Sequence, residues 1–331
     1  MALGANQLLG VTGMTVENRI FYEKQLLSRA VPMMLHTGWG LQKDIPGNMG
    51  NSINFRRFER PSSATTALTE GTAPSPQNMT VSAVNLSILQ YGAYDRTSDV
   101  LLNQGIDDVM SGLSGAFGEQ MGVTLDTLCR DVLVGGTNVI FAAGAAARGS
   151  LAVSTGNNMS AALLKSAAVA LQVANARPLA KAGGNYVAFM HPDTWSDLFN
   201  DTLIQNALQY GGLRGETNPL FTGSIFDYAG IRLQRTSSAR VFQSSANASS
   251  SAVYVTVVIG EEAYGEVRFS EDNVRLIVHG IGSAGAADAL NQYGTVGWKA
   301  SYGVVRLNEA FLTRVETSST VAATRVGNPT P

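Results

Sequence analysis

The sequence is short of charge. Asp, Glu, Lys and Arg together make up 15% of its 331 residues, against about 25% in an ordinary soluble domain. A surface so poor in charge does little to keep copies apart. Two readings follow from composition: an ordinary Ala- and Gly-rich chain, or one whose surface is covered by copies of itself. The formal net charge of −2 argues against tight, sequence-independent binding of DNA, which needs a basic patch that neutralises several phosphates. Loose contact with DNA stays open. The single cysteine, Cys129, excludes an intrachain disulfide framework and a thiolate metal site. No apolar run approaches the roughly 18–20 residues of a membrane span. The opening MALGANQLLGVTGMT lacks the basic stretch and long apolar run of a secretory signal. A cytosolic context and no membrane partner are expected.

Catalytic signatures are missing too. No GxSxG elbow, HExxH helix or GxxxxGK[ST] loop occurs. His36, His191 and His279 lie far apart with no carboxylate at metal-ligand spacing, so no metal is expected. His191 falls between a strand and a helix capped by Asp193 and suits a turn or a satisfied core position. Gly280-Ile281-Gly282-Ser283-Ala284-Gly285 fits GxGxxG, but a dinucleotide fold needs a helix, several parallel strands and an acid after it. The 46 residues that follow read as strands, so an inter-strand loop is expected. Cys129 beside Leu128 reads as a small core residue. No catalytic residue, cofactor or metal ligand is assigned, and the chain is not expected to be an enzyme.

Glycine is plentiful, at 35 residues, above the usual share of about 7%. Val16, Ile20, Phe21 and Leu27 recur near helical spacing after Thr15 and before Pro32, which predicts an arm with one short helix. Residues 51–60 alternate around Ile53, Phe55 and Phe58, and residues 80–94 place Val84, Leu86 and Ile88 on one face. The polar stretch PSSATTALTEGTAPSPQNM between them is too long for a structureless loop inside a compact domain. It predicts a projecting two-stranded hairpin, marginal by itself in water. Residues 97–134 carry apolar side chains at Leu102, Ile106, Val109, Leu113, Phe117, Met121, Leu125, Leu128 and Val132. That is one helix face of about ten turns, roughly 55 Å long. Gly105, Gly112, Gly115, Gly118 and Gly122 mark bends or close approaches of a neighbouring backbone. A second helix starts at Ser160 and ends before Pro178, and a strand at 185–190 leads into a short helix. Residues 201–224 read as a helix and a Gly-rich loop. Strands dominate afterwards, up to a polar, frayed tail. The fold class is α+β, with antiparallel sheet and helices in separate blocks.

The order of these parts, with LTEGTAPSP (68–76), YGAYDRTSDVLL (91–102), YVAFMHPDTWSDL (186–198), DYAGIRL (227–233) and VGWKASYGVVRLNEAFLTRVE (296–316), resembles the Hong-Kong-97-type major capsid proteins of tailed phages, and fits best their podovirus-like coat proteins. The resemblance spans most of residues 15–316. No one segment is specific alone; their order carries it.

The resemblance implies an N-terminal arm (1–46), an extended β-hairpin loop (47–96) that overlaps a neighbouring subunit, and a peripheral domain with a spine helix (97–155 and 287–316). It also implies an axial domain (156–286) and a C-terminal tail (317–331). The function implied is a coat protein forming pentamers and hexamers of an icosahedral shell around double-stranded DNA, assembled in the host cytoplasm. Portal protein and a decoration protein are the other expected partners, with loose, non-specific contact to packaged DNA. No long, charged N-terminal extension acts as a fused scaffold, so a separate scaffolding protein is expected. Some members cross-link through a Lys on the extended loop. Here the lysines are Lys24, Lys43, Lys165, Lys181 and Lys299, none on the hairpin between residues 51 and 94, so no such cross-link is expected. Candidate inter-subunit contacts are Arg56, Arg57, Glu59 and Arg60 on the first hairpin strand, Glu70 at its tip, and Arg214 and Glu216 in the loop expected near a symmetry axis. The cluster at 56–60 equally suits a solvated strand edge or ion pairs that set register. An encapsulin-like nanocompartment and a phage tail or adhesion protein are the rival readings.

Overall fold

One long strand, Tyr293–Arg306, organises half of the fold. The computed structural model describes residues 24, 26–30, 33–46, 50–59, 61–68, 70–104, 109–211, 227–244, 251–269, 274–283 and 290–323. Among these the chain runs β1 (Leu41–Ile45), β2 (Ser52–Phe58), β3 (Val81–Ser87), β4 (Leu89–Ser98), α1 (Asp99–Gln104) and α2 (Val109–Val134). Next come β5 (Val139–Phe141), α3 (Ala161–Val173), β6 (Tyr186–Met190), α4 (Pro192–Phe199) and α5 (Thr202–Gly211). Strands β7 (Asp227–Tyr228), β8 (Ile231–Arg235), β9 (Val241–Ser244), β10 (Ser251–Ile259), β11 (Tyr264–Phe269) and β12 (Val274–His279) follow. After these come β13 (Tyr293–Arg306), β14 (Leu312–Thr317) and α6 (Thr320–Ala323).

Strand β13 pairs with β4 along one edge and with β12 and then β11 along the other, and β1 extends that five-stranded sheet. Period-two alternation sends Val296, Trp298 and Ala300 to one face, where they pack with Met121 and Leu125 of α2 and with Leu26 and Ala30. Trp298 Nε1 donates to Gln120 Oε1 at 3.0 Å, satisfying the indole in this core.

A seven-stranded sheet, ordered β5-β14-β10-β6-β8-β7 with β9 on β10, forms the second body. Its strand β6 is buried throughout, because both faces are covered. Tyr186, Ala188 and Met190 pack with Leu164 and Leu171 of α3. Val187 and Phe189 pack with Cys129 and Leu133 of α2. The C-terminal turns of α2 therefore touch both sheet systems. Antiparallel pairs dominate, as expected, but β1–β11, β5–β14 and β6–β8 are parallel.

The glycines of α2 mark a close approach. A Cβ at Gly122 would sit 2.5 Å from Ala30 O, and one at Gly118 would run into Leu26 O. Helical residues 26–30 thus cross α2 with backbone against backbone, which only glycine allows at that separation.

Several expectations are corrected. Residues 80–94 are two strands: β3 pairs with β2, while β4 turns away to pair with β13. The break falls at Ile88, whose N–H donates to Asn51 O at 2.8 Å and whose side chain is buried. The spine does not start at Thr97: β4 runs to Ser98, and the Ser98 hydroxyl accepts from Leu101 N at 3.2 Å to open α1. Residues 105–108 lie outside the described residues. His191, not Asp193, caps α4, with its Nδ1 accepting from Asp193 N at 3.2 Å. The tail does not fray at once, since Thr317, Ser318 and Ser319 are buried and α6 follows. Strands β12 and β13 are antiparallel, so the glycine motif at 280–285 begins an inter-strand connection; its residues 284 and 285 lie outside the described residues. The arm helix near Val16, Ile20 and Phe21 also lies outside them.

Candidate subunit-contact surfaces

The hairpin is built from its root outward. Phe55 and Leu86 are buried with Ile45 and Val267, fixing the register in which Phe55 opposes Val84. A Cβ at Gly265 would lie 2.7 Å from Phe55 Cζ, so bare backbone receives the ring. Lys43 Nζ stands 4.7 Å above the same ring, and the Arg57 guanidinium lies 5.3 Å from the Phe311 ring, contacts of the cation–π kind.

Beyond the root the cover ends. Every described residue from Glu59 to Thr80 is exposed, including Leu68 at 77%, and Phe58 just before them is exposed at 65%. Met79 and Val81 are exposed as well. Two strands with apolar side chains open to water gain little from burial within the subunit. Arg56, Arg57, Glu59 and Glu70 are exposed on this arm and make no ion pair among the described residues. Arg60, Arg214 and Glu216 lie outside the described residues. The structure thus gathers part of the charge cluster on one projecting arm.

Sequence reasoning missed two features. The first is a buried polar junction. His36 Nδ1 lies 2.7 Å from Asp126 Oδ2, Ser238 Oγ donates to that oxygen at 2.8 Å, and Leu35 N and His36 N donate to Asp126 Oδ1. Burial pushes the Asp126 carboxyl up, but the hydrogen bond and charge of His36 outweigh it and hold it below the usual carboxylate range. Glu266, also buried, accepts from Gly38 N at 2.7 Å, and Tyr264 donates to His36 O at 2.6 Å. Burial pushes the Cys129 thiol well up, which keeps it an unreactive packing group. Nothing in the spacing of His36 and Asp126 announced this pair, because they are far apart in sequence.

The second feature is a cleft of about 460 Å³ on the face of β4, β13 and β12 turned away from α2. Gly92 and Gly297 form its floor, and Tyr94, Ile277, Arg96 and Lys299 stand around it. A Cβ at Gly92 would lie 2.5 Å from Trp298 O, and one at Gly297 2.7 Å from Tyr94 Cβ. Side chains are thus excluded from the floor. The alternation in VGWKASYG was the available signal.

Elsewhere, buried Glu316 accepts from Arg148 Nε and Nη2, each at 2.7 Å, and lies 2.9 Å from Arg314 Nε. Among the described residues no group of three or more His, Cys, Asp or Glu side chains could hold a metal ion, and no helix is long and apolar enough to cross a membrane.

A projecting hairpin, a long helix laid on a sheet and a second, helix-covered sheet define the Hong-Kong-97-type shell-subunit fold. The capsid of Cyanophage P-SCSP1u matches with a TM-score of 0.65 at 17% identity, over 87% of this chain and 89% of that one. The capsid of Ralstonia phage GP4 matches at 0.64 and 15%, over 90% of each chain. The Cyanophage Pam1 capsid matches at 0.62 and 15%, over 96% of this chain and 99% of that one. Residues 92–274, more than half of the chain, match the model of the phage capsid protein family, and the chain belongs to that family. It is a major capsid protein, a structural component of the virion shell that assembles with copies of itself. No curated protein sequence matches the chain significantly.

Proposed function

We propose that copies of this chain form pentamers and hexamers of an icosahedral shell enclosing double-stranded DNA, in which the extended loop at 47–96 lies on a neighbouring subunit. The observation that carries this reading is the uncovered arm: Phe58, Leu68, Met79 and Val81 face water beside Arg56, Arg57, Glu59 and Glu70, which make no ion pair among the described residues. Burying that apolar surface against a neighbour stabilises both the arm and the contact. The exposed charges then set register more than affinity. Residues 97–155 and 287–316 serve as the peripheral domain and 156–286 as the axial domain, with Arg214 and Glu216 near the symmetry axis.

Assembly takes place in the host cytoplasm on a separate scaffolding protein, with a portal protein at one vertex and a decoration protein outside. With a net charge of −2, contact with packaged DNA is loose and non-specific. The shell's work is mechanical and not catalytic.

Replacing residues 61–79 by a short Gly-Ser turn tests the reading. The variant keeps its root, because Phe55 and Leu86 stay in place, and its thermal unfolding matches the parent. Co-expressed with the scaffold, it yields soluble subunits and no closed shells. Normal shells from that variant would refute the role of the arm.

A further inference from the structure

The cleft on the outer face of the five-stranded sheet plays no part in the subunit's own packing. Its floor is bare backbone at Gly92 and Gly297, its rim carries Tyr94, exposed at 68%, and Ile277, and nothing among the described residues covers it. Arg96 stands at one end, its guanidinium 5.0 Å from the Tyr293 ring. Lys299 stands at the other, opposite Gly92 in the β4–β13 register. Among the described residues no carboxylate lines the cleft, although the chain as a whole is net negative.

Arg96 and the Gly92–Lys299 row are four residues apart along β4, or about 13 Å at the rise of a strand. An extended peptide repeats that distance between residues i and i+4, and its residue i+2 points the same way. The complementary ligand therefore has two carboxylates four residues apart, to meet Lys299 and Arg96, with an apolar side chain between them on the glycine floor. A DNA duplex is too thick to enter the cleft, and two cations give it little hold.

This chain does not supply such a segment. Its carboxylates at a spacing of four are Asp95 and Asp99, the series Asp193, Asp197 and Asp201, and Glu262 and Glu266. All belong to β4 and α1, to α4 and its ends, or to β11 and the turn before it. The exposed hairpin stretch 61–79 holds one acid, Glu70.

We propose that this cleft is a docking site for an extended acidic segment of a separate protein, with an acid–x–apolar–x–acid pattern. The proposal deepens the reading of the chain as a shell subunit that takes auxiliary proteins, and it is independent of where the hairpin docks.

The test uses a fluorescent peptide, Gly-Asp-Ser-Leu-Ser-Asp-Gly, titrated onto the free subunit and onto closed shells. Controls are the peptide with both Asp replaced by Asn, one with adjacent acids, a peptide of residues 61–79, and a short DNA duplex. The i, i+4 peptide binds subunit and shell alike, about tenfold tighter than the Asn and adjacent-acid controls. Arg96→Glu and Lys299→Glu each weaken it about tenfold, and Tyr94→Ser also weakens it, with circular dichroism and unfolding unchanged. Equal binding of the control peptides, or indifference to the two charge reversals, overturns the proposal. Binding to subunits but not to shells makes the face an interface between copies, and tighter binding of the 61–79 peptide makes the arm its occupant. Preference for the duplex assigns it to DNA. Each of these three contradicts the proposal, and none bears on whether shells form.

Discussion

His36 and Asp126 meet in a hydrogen-bonded pair sealed from solvent, Nδ1 to Oδ2 at 2.7 Å, which joins the segment entering β1 to the middle of the spine helix. Ser238 adds a third segment to the same oxygen. One carboxylate thereby fixes three parts of the chain whose apolar patterns do not dictate their mutual position.

Breaking this pair is costly. Removing one partner leaves a buried group uncompensated, at about 3–5 kcal/mol, so Asp126→Ala lowers the stability of the subunit by that order in urea unfolding. The pH dependence has a definite sign. The Asp126 carboxyl is held below its ordinary value in the fold, so its contribution is present above the unfolded value near 4 and is lost as pH falls through the folded value. Asp126→Asn flattens that part of the acid limb, and an unchanged limb contradicts the assignment.

Gly118 and Gly122 set two effects against each other. In an exposed helix, Gly→Ala gains up to about 1 kcal/mol from helix propensity. Here the added methyl meets the backbone of Leu26 and Ala30, and overpacking costs about 1–3 kcal/mol. Gly118→Ala and Gly122→Ala are expected to lower the unfolding midpoint, whereas Gly112→Ala, with nothing among the described residues within 4 Å, raises it or leaves it unchanged.

Asp197 behaves in the opposite sense to Asp126. Burial raises its carboxyl, with the charge of Asp193 adding to the effect and Ser319 and Thr320 opposing it, and among the described residues its Oδ2 has no partner within hydrogen-bond geometry. An acid raised in the fold contributes stability below that raised value and loses it as pH climbs through it. Asp197→Asn keeps a side-chain oxygen to accept from Asn158 Nδ2 and Thr320 Oγ1 and removes the buried charge. Its unfolding midpoint at neutral pH is therefore equal to or above the parent's, and a clear loss of stability there contradicts this account.

Mature particles dissolve to single chains. With no lysine on the hairpin, boiling in denaturant releases a band at 34.9 kDa. A ladder of covalent multimers overturns this expectation.

Much of the architecture was legible because it rests on local periodicity. The alternation of Phe55 and Leu86 marked the hairpin root, and the spacing of Met121, Leu125 and Leu128 marked the spine. The division at Ile88 was not legible, since both halves alternate alike and only β13, far along the chain, tells them apart. The start of the helix at Asp99 was not legible for a related reason: the β13 partner holds Thr97 and Ser98 as strand, and Ser98 only then caps the helix. The buried pair of His36 and Asp126 and the cleft over Gly92 and Gly297 depend on contacts between distant segments. Low charge and abundant glycine hinted at a surface to be covered without saying where.

Electron microscopy of the full chain co-expressed with its scaffolding protein tests the central claim most directly. Closed icosahedral particles with pentameric and hexameric capsomers are expected. Fibres, isolated trimers or dispersed monomers under the same conditions contradict the account.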